Sequence, residues 1–172
     1  MGIVLARIDN RLLHGVVATQ WAPKTRAQRV MVIDDETAGN EIAKSSMKPC
    51  SSRRHGDIDH RARYRHFQLQ ANKYDGQSIF LITKRVETIK RLMDEAGVEI
   101  PELDLGATAQ RAITDGVIEV NARTTIDPDE AAAYRDLMAR GVNVYVQYLL
   151  ADKPNQWLRF LVNGFRVQAR DI

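Results

Sequence analysis

Short apolar runs alternate along the chain with longer stretches whose apolar residues recur at helical spacing. The runs are rich in β-branched residues and are four to seven residues long, which is typical of strands. We expect the run at 117–120 to form an edge strand and the run at 142–148 to form the last central strand. The full set of runs is 2–8, 29–33, 78–83, 102–105, 117–120 and 142–148.

The stretches between these runs predict helices over 14–22, 34–48, 86–96 and 127–140. Pro23 is expected to close the first helix, and Gly97 and Gly141 to end the last two. The run Asp127-Pro128-Asp129-Glu130 is typical of a helix start, because proline fits the first turn and acids favour its positive end. The alternation of strands and helices predicts an α/β fold: an open, mostly parallel, twisted sheet with helices on both faces.

The segment 49–70 departs from this pattern. Residues 51–61 have almost nothing to bury, so we expect one βα unit to be disrupted here, with a strand missing or poorly formed. We expect stability to be affected more than chemistry. Five arginines and two aspartates in the segment carry the whole formal excess charge of +3.

This basic segment does not predict a nucleic-acid partner or a metal site. Only Tyr64 and Phe67 interleave the arginines, and no recognised nucleic-acid motif is present. A nucleic-acid binder is therefore the weakest of the function hypotheses. The candidate ligands match no standard zinc spacing. They are Cys50, His55, His60 and His66.

Length and composition indicate one domain over 1–172, with a C-terminal tail at 155–172. The tail has apolar residues at helix-like spacing and is expected to be a packing helix or an interaction segment. No apolar stretch approaches the roughly 18–20 residues of a membrane span, and no secretory signal is visible. The single cysteine cannot form an internal disulfide, which agrees with a reducing cytoplasm.

The candidate chemistry lies where the first apolar run turns into charge. Arg7, Asp9 and Arg11 alternate with residues that include apolar Ile8 and Leu12, so a strand would project the three charged side chains to one side, toward the carboxyl edge of the sheet. His14 follows, and its imidazole is a nucleophile near neutral pH. This combination suits a phosphoryl group carried on histidine, although a lone histidine after a strand is more often a capping or core residue.

The run from Ala6 to Val17 resembles the ARIDxRLxHGxV signature of a bacterial family, the IIB components of the mannose/fructose/sorbose class of the phosphoenolpyruvate-dependent sugar phosphotransferase system. Residues 103–106 are similar to the family's N-I-G-G stretch, although Ala107 replaces its second glycine. The resemblance covers about 2–154. Further similar stretches are 30–36, 79–84 and 139–142.

The resemblance implies that His14 is the catalytic residue, which accepts phosphate on Nδ1 from a IIA protein. It also implies transfer to a sugar bound by the IIC/IID membrane subunits, an activity of the EC 2.7.1 type, on the cytoplasmic face of the membrane. No metal and no cofactor are implied, and the chain lacks GxxxxGK[ST] and GxGxxG motifs for nucleotides. A homodimer is in keeping with the family.

The residues around His14 have further expected roles. Arg11 is the first candidate to clamp the phosphoryl oxygens and Arg7 the second. Asp9 either orients the imidazole or forms a salt bridge with an arginine. Gly15 lets the backbone approach the phosphate, and Thr83 is a candidate to touch it.

Four other polar or small residues follow predicted strands. Asp34 and Asp35 either bind sugar hydroxyls, shape their loop or, with more support, cap the next helix. Lys84 and Gly106 are candidates for a sugar or loop role. The pairs at 20–21 and 146–147 favour, faintly, an amino sugar such as N-acetylgalactosamine. The alternative function is a non-catalytic regulatory or binding module on the same fold.

Overall fold

The computed structural model describes residues 2–40, 56–62, 76–109, 111–112 and 116–155, with the backbone alone for Ala38 and 56–62. Six strands form one parallel sheet in the order β3-β2-β4-β1-β5-β8, and β6 pairs with β7 in a separate antiparallel hairpin. The strands are β1 (Gly2–Ile8), β2 (Arg29–Ile33), β3 (Gly56–Ala62), β4 (Ser78–Thr83), β5 (Glu102–Leu105), β6 (Ile118–Asn121), β7 (Thr124–Ile126) and β8 (Asn143–Val146).

Helices cover both faces of this sheet, so the predicted fold class is confirmed. One face packs on a π-helical segment (Val17–Trp21) and on α1 (Ala22–Thr25). The other face packs on α3 (Val86–Ala96) and α4 (Pro128–Ala139), and α2 (Asp35–Ala38) follows β2. Strand residues alternate between the two cores, with Leu5 in the first and Ala6 in the second.

The topology places a crevice at the carboxyl end of β1. This strand lies between β4 and β5. The chain leaves β1 toward β2 on one side, whereas it leaves β5 toward β8 on the other side. Neighbouring strands whose connections lead in opposite directions define the switch point where open α/β sheets bind ligands.

The first helical segment differs from its prediction. Pro23 does not end it, because proline fits the first turn of a helix and α1 continues through it to Thr25. The segment ends at Arg26, whose φ of 51° is left-handed. A π-helical segment precedes α1 over Val17–Trp21, and the amphipathic spacing alone did not indicate that wider winding.

The atypical segment 49–70 contains a strand, so of the two alternatives expected there, a missing strand is wrong and a poorly formed strand is the one that stands. Strand β3 pairs in parallel with β2 at the sheet edge, with register shifts on either side of Met31. Backbone pairing does not need apolar side chains on every residue, and an edge position tolerates a polar sequence. The arginines and histidines of 49–55 and 63–70 lie outside the described residues, as do Cys50, the second half of the helix predicted at 34–48 and the tail from 156 onward.

The run predicted at 117–120 is a strand, but it is not an edge of the main sheet. It forms β6, shifted by one residue, and pairs with β7 across a tight turn at 122–123. Strand β7 has only three residues and runs directly into the cap of α4, which hid it in the sequence. Among the described residues, no helix is both long and apolar enough to cross a bilayer.

The start of α4 offers a test of the fold. Asp127 accepts the backbone N–H of Glu130 at 2.8 Å, and the Glu130 carboxylate accepts the Asp127 N–H at 3.0 Å, which is a reciprocal capping box. We expect Asp127→Ala to lower the free energy of unfolding by about 1 kcal/mol in urea denaturation. Asp129→Ala, a change of a neighbouring acid that leaves the box intact, should cost less than half as much. Equal losses from the two variants would contradict this assignment.

Candidate functional site

The loop that carries His14, residues 9–16, is pinned to the carboxyl ends of the two strands that flank β1. The Asp9 N–H donates to the Thr83 carbonyl at 2.9 Å, and the Asn10 N–H donates to the Ala107 carbonyl at 2.8 Å. These two bonds extend the strand pairing just past Ile8, where β1 ends. The loop therefore starts from a fixed point at the switch between β1 and β5.

Tight turns then place the histidine at the surface. Leu12 has a left-handed φ of 52°, and its N–H donates to the Asp9 carbonyl at 3.0 Å. Leu12 and Leu13 are both buried and anchor the turn in the core. His14 is half-buried, and its carbonyl accepts the Val17 N–H at 3.0 Å. As predicted, His14 directly precedes the helical segment.

A buried guanidinium lies beneath this loop. The Arg7 side chain has no exposed surface, and it packs over the Trp21 ring with 4.5 Å between the guanidinium carbon and the ring centroid. Its Nη2 donates to Asp9 Oδ2 at 2.9 Å, and its Nη1 donates to Asp104 Oδ2 and to the Gln147 carbonyl. This guanidinium is sealed inside the fold, where it can orient the loop from beneath. A direct contact between Arg7 and a phosphoryl group stays a prediction.

Asp9 connects that guanidinium to the backbone around His14. Its second oxygen, Oδ1, accepts the Arg11 N–H at 3.1 Å. The Arg11 carbonyl in turn lies 2.8 Å from His14 Nδ1. Because a carbonyl oxygen only accepts, Nδ1 carries the proton in this contact. Of the two roles left open for Asp9, the salt bridge to an arginine is the one found.

Arg11 and Gly15 lie on the exposed side of the same loop. Gly15 has a left-handed φ of 44°, which favours glycine. A Cβ at Gly15 would stand 3.6 Å from Arg11 Nη2, so the guanidinium lies beside the residue that follows His14. Both Arg11 and Gly15 are exposed. This arrangement puts a cation and a flexible backbone position next to the half-buried imidazole.

A sequence profile of the family described as "PTS system sorbose subfamily IIB component" matches residues 3–170. The mannose-specific EIIAB component of Escherichia coli is 32% identical over 156 residues, which are 88% of this chain and 46% of that protein. The N-acetylgalactosamine-specific IIB component 1 of the same organism is 27% identical over 90% of this chain and 95% of its own. The IIB domain of the sorbose permease from Klebsiella pneumoniae superposes with a TM-score of 0.81 at 23% identity, covering 95% and 98% of the two chains.

The chain belongs to this family. The resemblance stated from the sequence is thereby confirmed, as is the fold class. The chain spans about half the length (46%) of the mannose-specific relatives it matches.

Asp104 is the residue of this IIB component that the sequence analysis missed. It stands opposite Arg7 in the β1–β5 pairing, and its Oδ1 accepts the Gln147 N–H at 3.0 Å. Burial raises the pKa of Asp104 to about 7, against the lowering effect of Arg7. An aspartate inside an apolar strand facing an arginine one strand away was the available signal, but it required the strand order.

Gly106 serves this network by its lack of a side chain. A Cβ there would lie 2.3 Å from Arg7 Nη2 and 2.8 Å from Asp9 Oδ2, closer than packed atoms approach. The residue's carbonyl accepts the Thr124 hydroxyl at 2.7 Å, which ties the β6–β7 hairpin to the same place. Gly106 therefore has a loop role, and the space it leaves is occupied by the Arg7–Asp9 pair.

The other candidates follow β2 and β4, and Asp34 takes the capping role that the sequence favoured. Thr83 is buried and its Oγ1 accepts the Arg85 N–H at 3.4 Å. A contact between Thr83 and phosphate stays a prediction. Asp34 caps α2 by accepting the Thr37 N–H at 3.0 Å, and Lys84 pairs with it at 3.0 Å. Although burial raises the pKa of Asp34, the bonds from Thr37 and Lys84 lower it overall. Asp35 is exposed in the first turn of α2.

The segment after β8 closes the site from the side of the π-helical segment. Trp21 Nε1 donates to the Tyr148 carbonyl at 3.0 Å, and the Leu150 N–H donates to Gln20 Oε1 at 3.3 Å. The strand predicted at 142–148 ends at Val146, because Asp104 and Arg7 bind the backbone of Gln147 instead. The pair at 20–21 thus has a packing role.

Gly106→Ala tests the space that the network needs. The added methyl group has to displace Arg7 or Asp9, so we expect a loss of at least about 2 kcal/mol in the free energy of unfolding. Gly39→Ala is the matched control, because a Cβ there meets nothing closer than 3.6 Å. Chemical denaturation of both variants measures the difference. A Gly106→Ala protein as stable as the control would contradict the described packing.

The raised pKa of the buried Asp104 carboxyl predicts that the free energy of unfolding depends on pH. Its pKa of about 7 in the folded protein exceeds the ordinary aspartate value of 3.8, so the fold prefers the protonated carboxyl. Stability is therefore lost as the pH rises from about 4 to about 7 and is constant above that range. We expect the native protein to lose roughly 3 kcal/mol relative to Asp104→Asn between pH 5 and pH 8. Urea denaturation at both pH values measures this, and a pH-independent difference would contradict it.

Proposed function

We propose that this IIB component is a phosphocarrier: it accepts a phosphoryl group on His14 from a IIA protein and transfers it to a sugar during uptake through IIC/IID. The observation that carries the proposal is the placement of His14. The half-buried imidazole stands on a loop fixed from beneath by Arg7 and Asp9, with Arg11 beside it, at the switch point of the sheet.

The geometry suits phosphoryl transfer because this reaction requires little covalent chemistry from the protein. Such reactions depend on positioning and on neutralising the charge of the equatorial oxygens. The rigid loop supplies the positioning. Arg11, whose guanidinium is exposed beside Gly15, supplies a planar fork that fits phosphoryl oxygens in a bidentate manner.

Which imidazole nitrogen of His14 reacts determines whether the ring has to move. The resemblance implies Nδ1, but Nδ1 faces the Arg11 carbonyl at 2.8 Å. Transfer to Nδ1 therefore requires the ring to turn out of this contact, whereas transfer to Nε2 does not. Nitrogen-15 spectra of the phosphorylated protein distinguish the two products.

The partners and the location follow the same proposal. A relative of this chain is named EIIAB, which supports a IIA phosphodonor for His14. We propose action as a single IIB-type domain at the cytoplasmic face of the membrane, in contact with IIC/IID and without a nucleic-acid partner. A homodimer is part of the proposal and is measured by light scattering.

The sugar is the least specified part. The relatives named above are specific for mannose, N-acetylgalactosamine and sorbose, so the family alone does not select one. Lys84 and Asn10 line a cleft of about 460 Å³ beside the His14 loop, which supports a role for Lys84 near the site. Asp34 and Asp35 are assigned to the helix cap and its loop. The lean toward an amino sugar stays a prediction.

Phosphorylation of the purified chain tests the carrier role. We expect incubation with phosphoenolpyruvate, enzyme I, HPr and several IIA proteins in parallel to add one acid-labile phosphoryl group, read by intact mass at neutral pH. His14→Ala should abolish the gain, because the nucleophile is lost. His60→Ala, a change of another histidine, should leave it unchanged.

The contrary result is also defined. A folded native chain that gains no phosphoryl group from any of the IIA proteins would contradict the carrier role and favour a non-catalytic binding module. A gain that survives His14→Ala would place the acceptor elsewhere.

A further inference from the structure

Asp104 acts on the segment before His14 through one of its oxygens. Oδ2 binds Arg7 Nη1, and the other side of the same guanidinium holds Asp9 through Nε and Nη2, at 3.2 and 2.9 Å. Asp9 then fixes the Arg11 N–H, and the Arg11 carbonyl contacts the His14 ring. A series of contacts therefore runs from Asp104 to the imidazole, and its bonds are charge-assisted as far as the Arg11 N–H.

The other oxygen of Asp104 acts on the segment after His14. Oδ1 accepts the Gln147 N–H at 3.0 Å, and the Gln147 carbonyl accepts Arg7 Nη1 at the same distance. The next residue, Tyr148, accepts the indole N–H of Trp21 with its carbonyl. Trp21 ends the π-helical segment that His14 precedes. One buried carboxylate thus braces both sides of the His14 loop.

We infer that Asp104 is a positioning residue for phosphoryl transfer: its ionised carboxylate holds the two segments that flank His14, through Arg7 on one side and the backbone of Gln147 on the other. This inference rests on the proposed function, because it concerns the rate at which His14 accepts a phosphoryl group. Asp104 itself is buried and does not contact the reacting atoms.

Protonation of Asp104 weakens this arrangement. Oδ2 accepts from Arg7 Nη1 and Oδ1 accepts from the Gln147 N–H, and both bonds are strengthened by the negative charge of the carboxylate. A proton on either oxygen removes that charge. Since burial raises the pKa of Asp104 to about 7, both forms are populated near neutral pH.

The charged and titratable groups around Asp104 come from three strands. Arg7 and Asp9 face it from β1 and the turn after it, and they act on its pKa in opposite directions. Tyr145 on β8 is held neutral, because burial and the nearby carboxylates of Asp104 and Glu102 raise its pKa well above the ordinary value. Asp104 is therefore the group of this set whose pKa lies near neutral pH.

The test compares rates of phosphorylation across pH. Phosphoramidate, a small phosphohistidine-forming donor, is added to the whole chain, and the first-order rate is measured by intact mass from pH 6 to pH 8. The reference is Asp104→Asn, which does not titrate. Dividing the native rate by the reference rate cancels the effect of His14 protonation on the rate, which is common to both proteins.

We expect this ratio to rise with pH, by up to about ninefold, because a group with a pKa of about 7 passes from one-tenth to nine-tenths ionised. A residue that only stabilises the fold would give the opposite trend, since the fold of the native chain loses stability over the same range. Glu130→Gln is the control: it disrupts another ion pair, the half-buried one with Arg111, and its ratio to the native rate should be flat.

The outcomes separate the two proposals. Suppose that the native chain is labelled and that the ratio of its phosphorylation rate to that of Asp104→Asn stays flat or falls with pH. This result overturns the inference about Asp104 and leaves the carrier role standing. A native chain that phosphoramidate and the IIA proteins all fail to label at any pH overturns both. If Asp104→Asn does not fold, Asp104→Ala is equally unable to titrate and replaces it, with the same two readings.

Discussion

The site depends on one buried guanidinium shared by two carboxylates. Arg7 lies within β1, on the face covered by the π-helical segment, and it is sealed from water by Trp21. A charge buried without partners would be very unfavourable, so Arg7 requires Asp9 and Asp104 in place. Those partners in turn fix the turn after β1 and the segment after β8. The position of His14 is a consequence of where this cation finds its partners.

Two carboxylates exceed the charge of one guanidinium, and the excess falls on Asp104. Burial raises its pKa to about 7, while Asp9, which also binds a backbone N–H, keeps its place under the loop. The fold therefore contains a carboxyl group whose pKa lies near neutral pH. Its ionised form destabilises the fold, yet this is the form that best holds the segments on both sides of His14. Functional sites commonly combine a strained electrostatic arrangement with a rigid scaffold. Here the scaffold is the parallel sheet, and the arrangement lies at its switch point.

The sequence allowed the layered fold to be predicted because strand and helix periodicities were clear in most of the chain. The edge strand β3 could not be predicted from 56–62, since its pairing is made by backbone groups and its sequence has little apolar pattern. The hairpin strand β7 was missed because three residues are too short for a period to be read. The π-helical winding before α1 also leaves no periodic mark of its own.

The candidate site was predicted in part. His14, Arg11 and Gly15 lie together at the surface, as the motif suggested. Arg7 is buried beneath them, whereas a strand ending in alternating charges was expected to project all of them to one side. Strand β1 ends at Ile8, and its register with β5 turns Arg7 inward toward Asp104. Spacing along one segment cannot reveal a partner 97 residues away, which only the strand order brings within reach.

Hydrogen exchange at the Nε–H of Arg7 tests this account most directly. The signal is observed by ¹H–¹⁵N spectroscopy of protein labelled at arginine and is identified by its loss in Arg7→Lys. We predict a signal protected from exchange far longer than that of Arg11, because the Arg7 Nε–H is buried and bonded to Asp9. An Arg7 signal that exchanges as fast as that of Arg11 would show that the guanidinium is open to water, and it would contradict the claim that this cation holds the His14 loop.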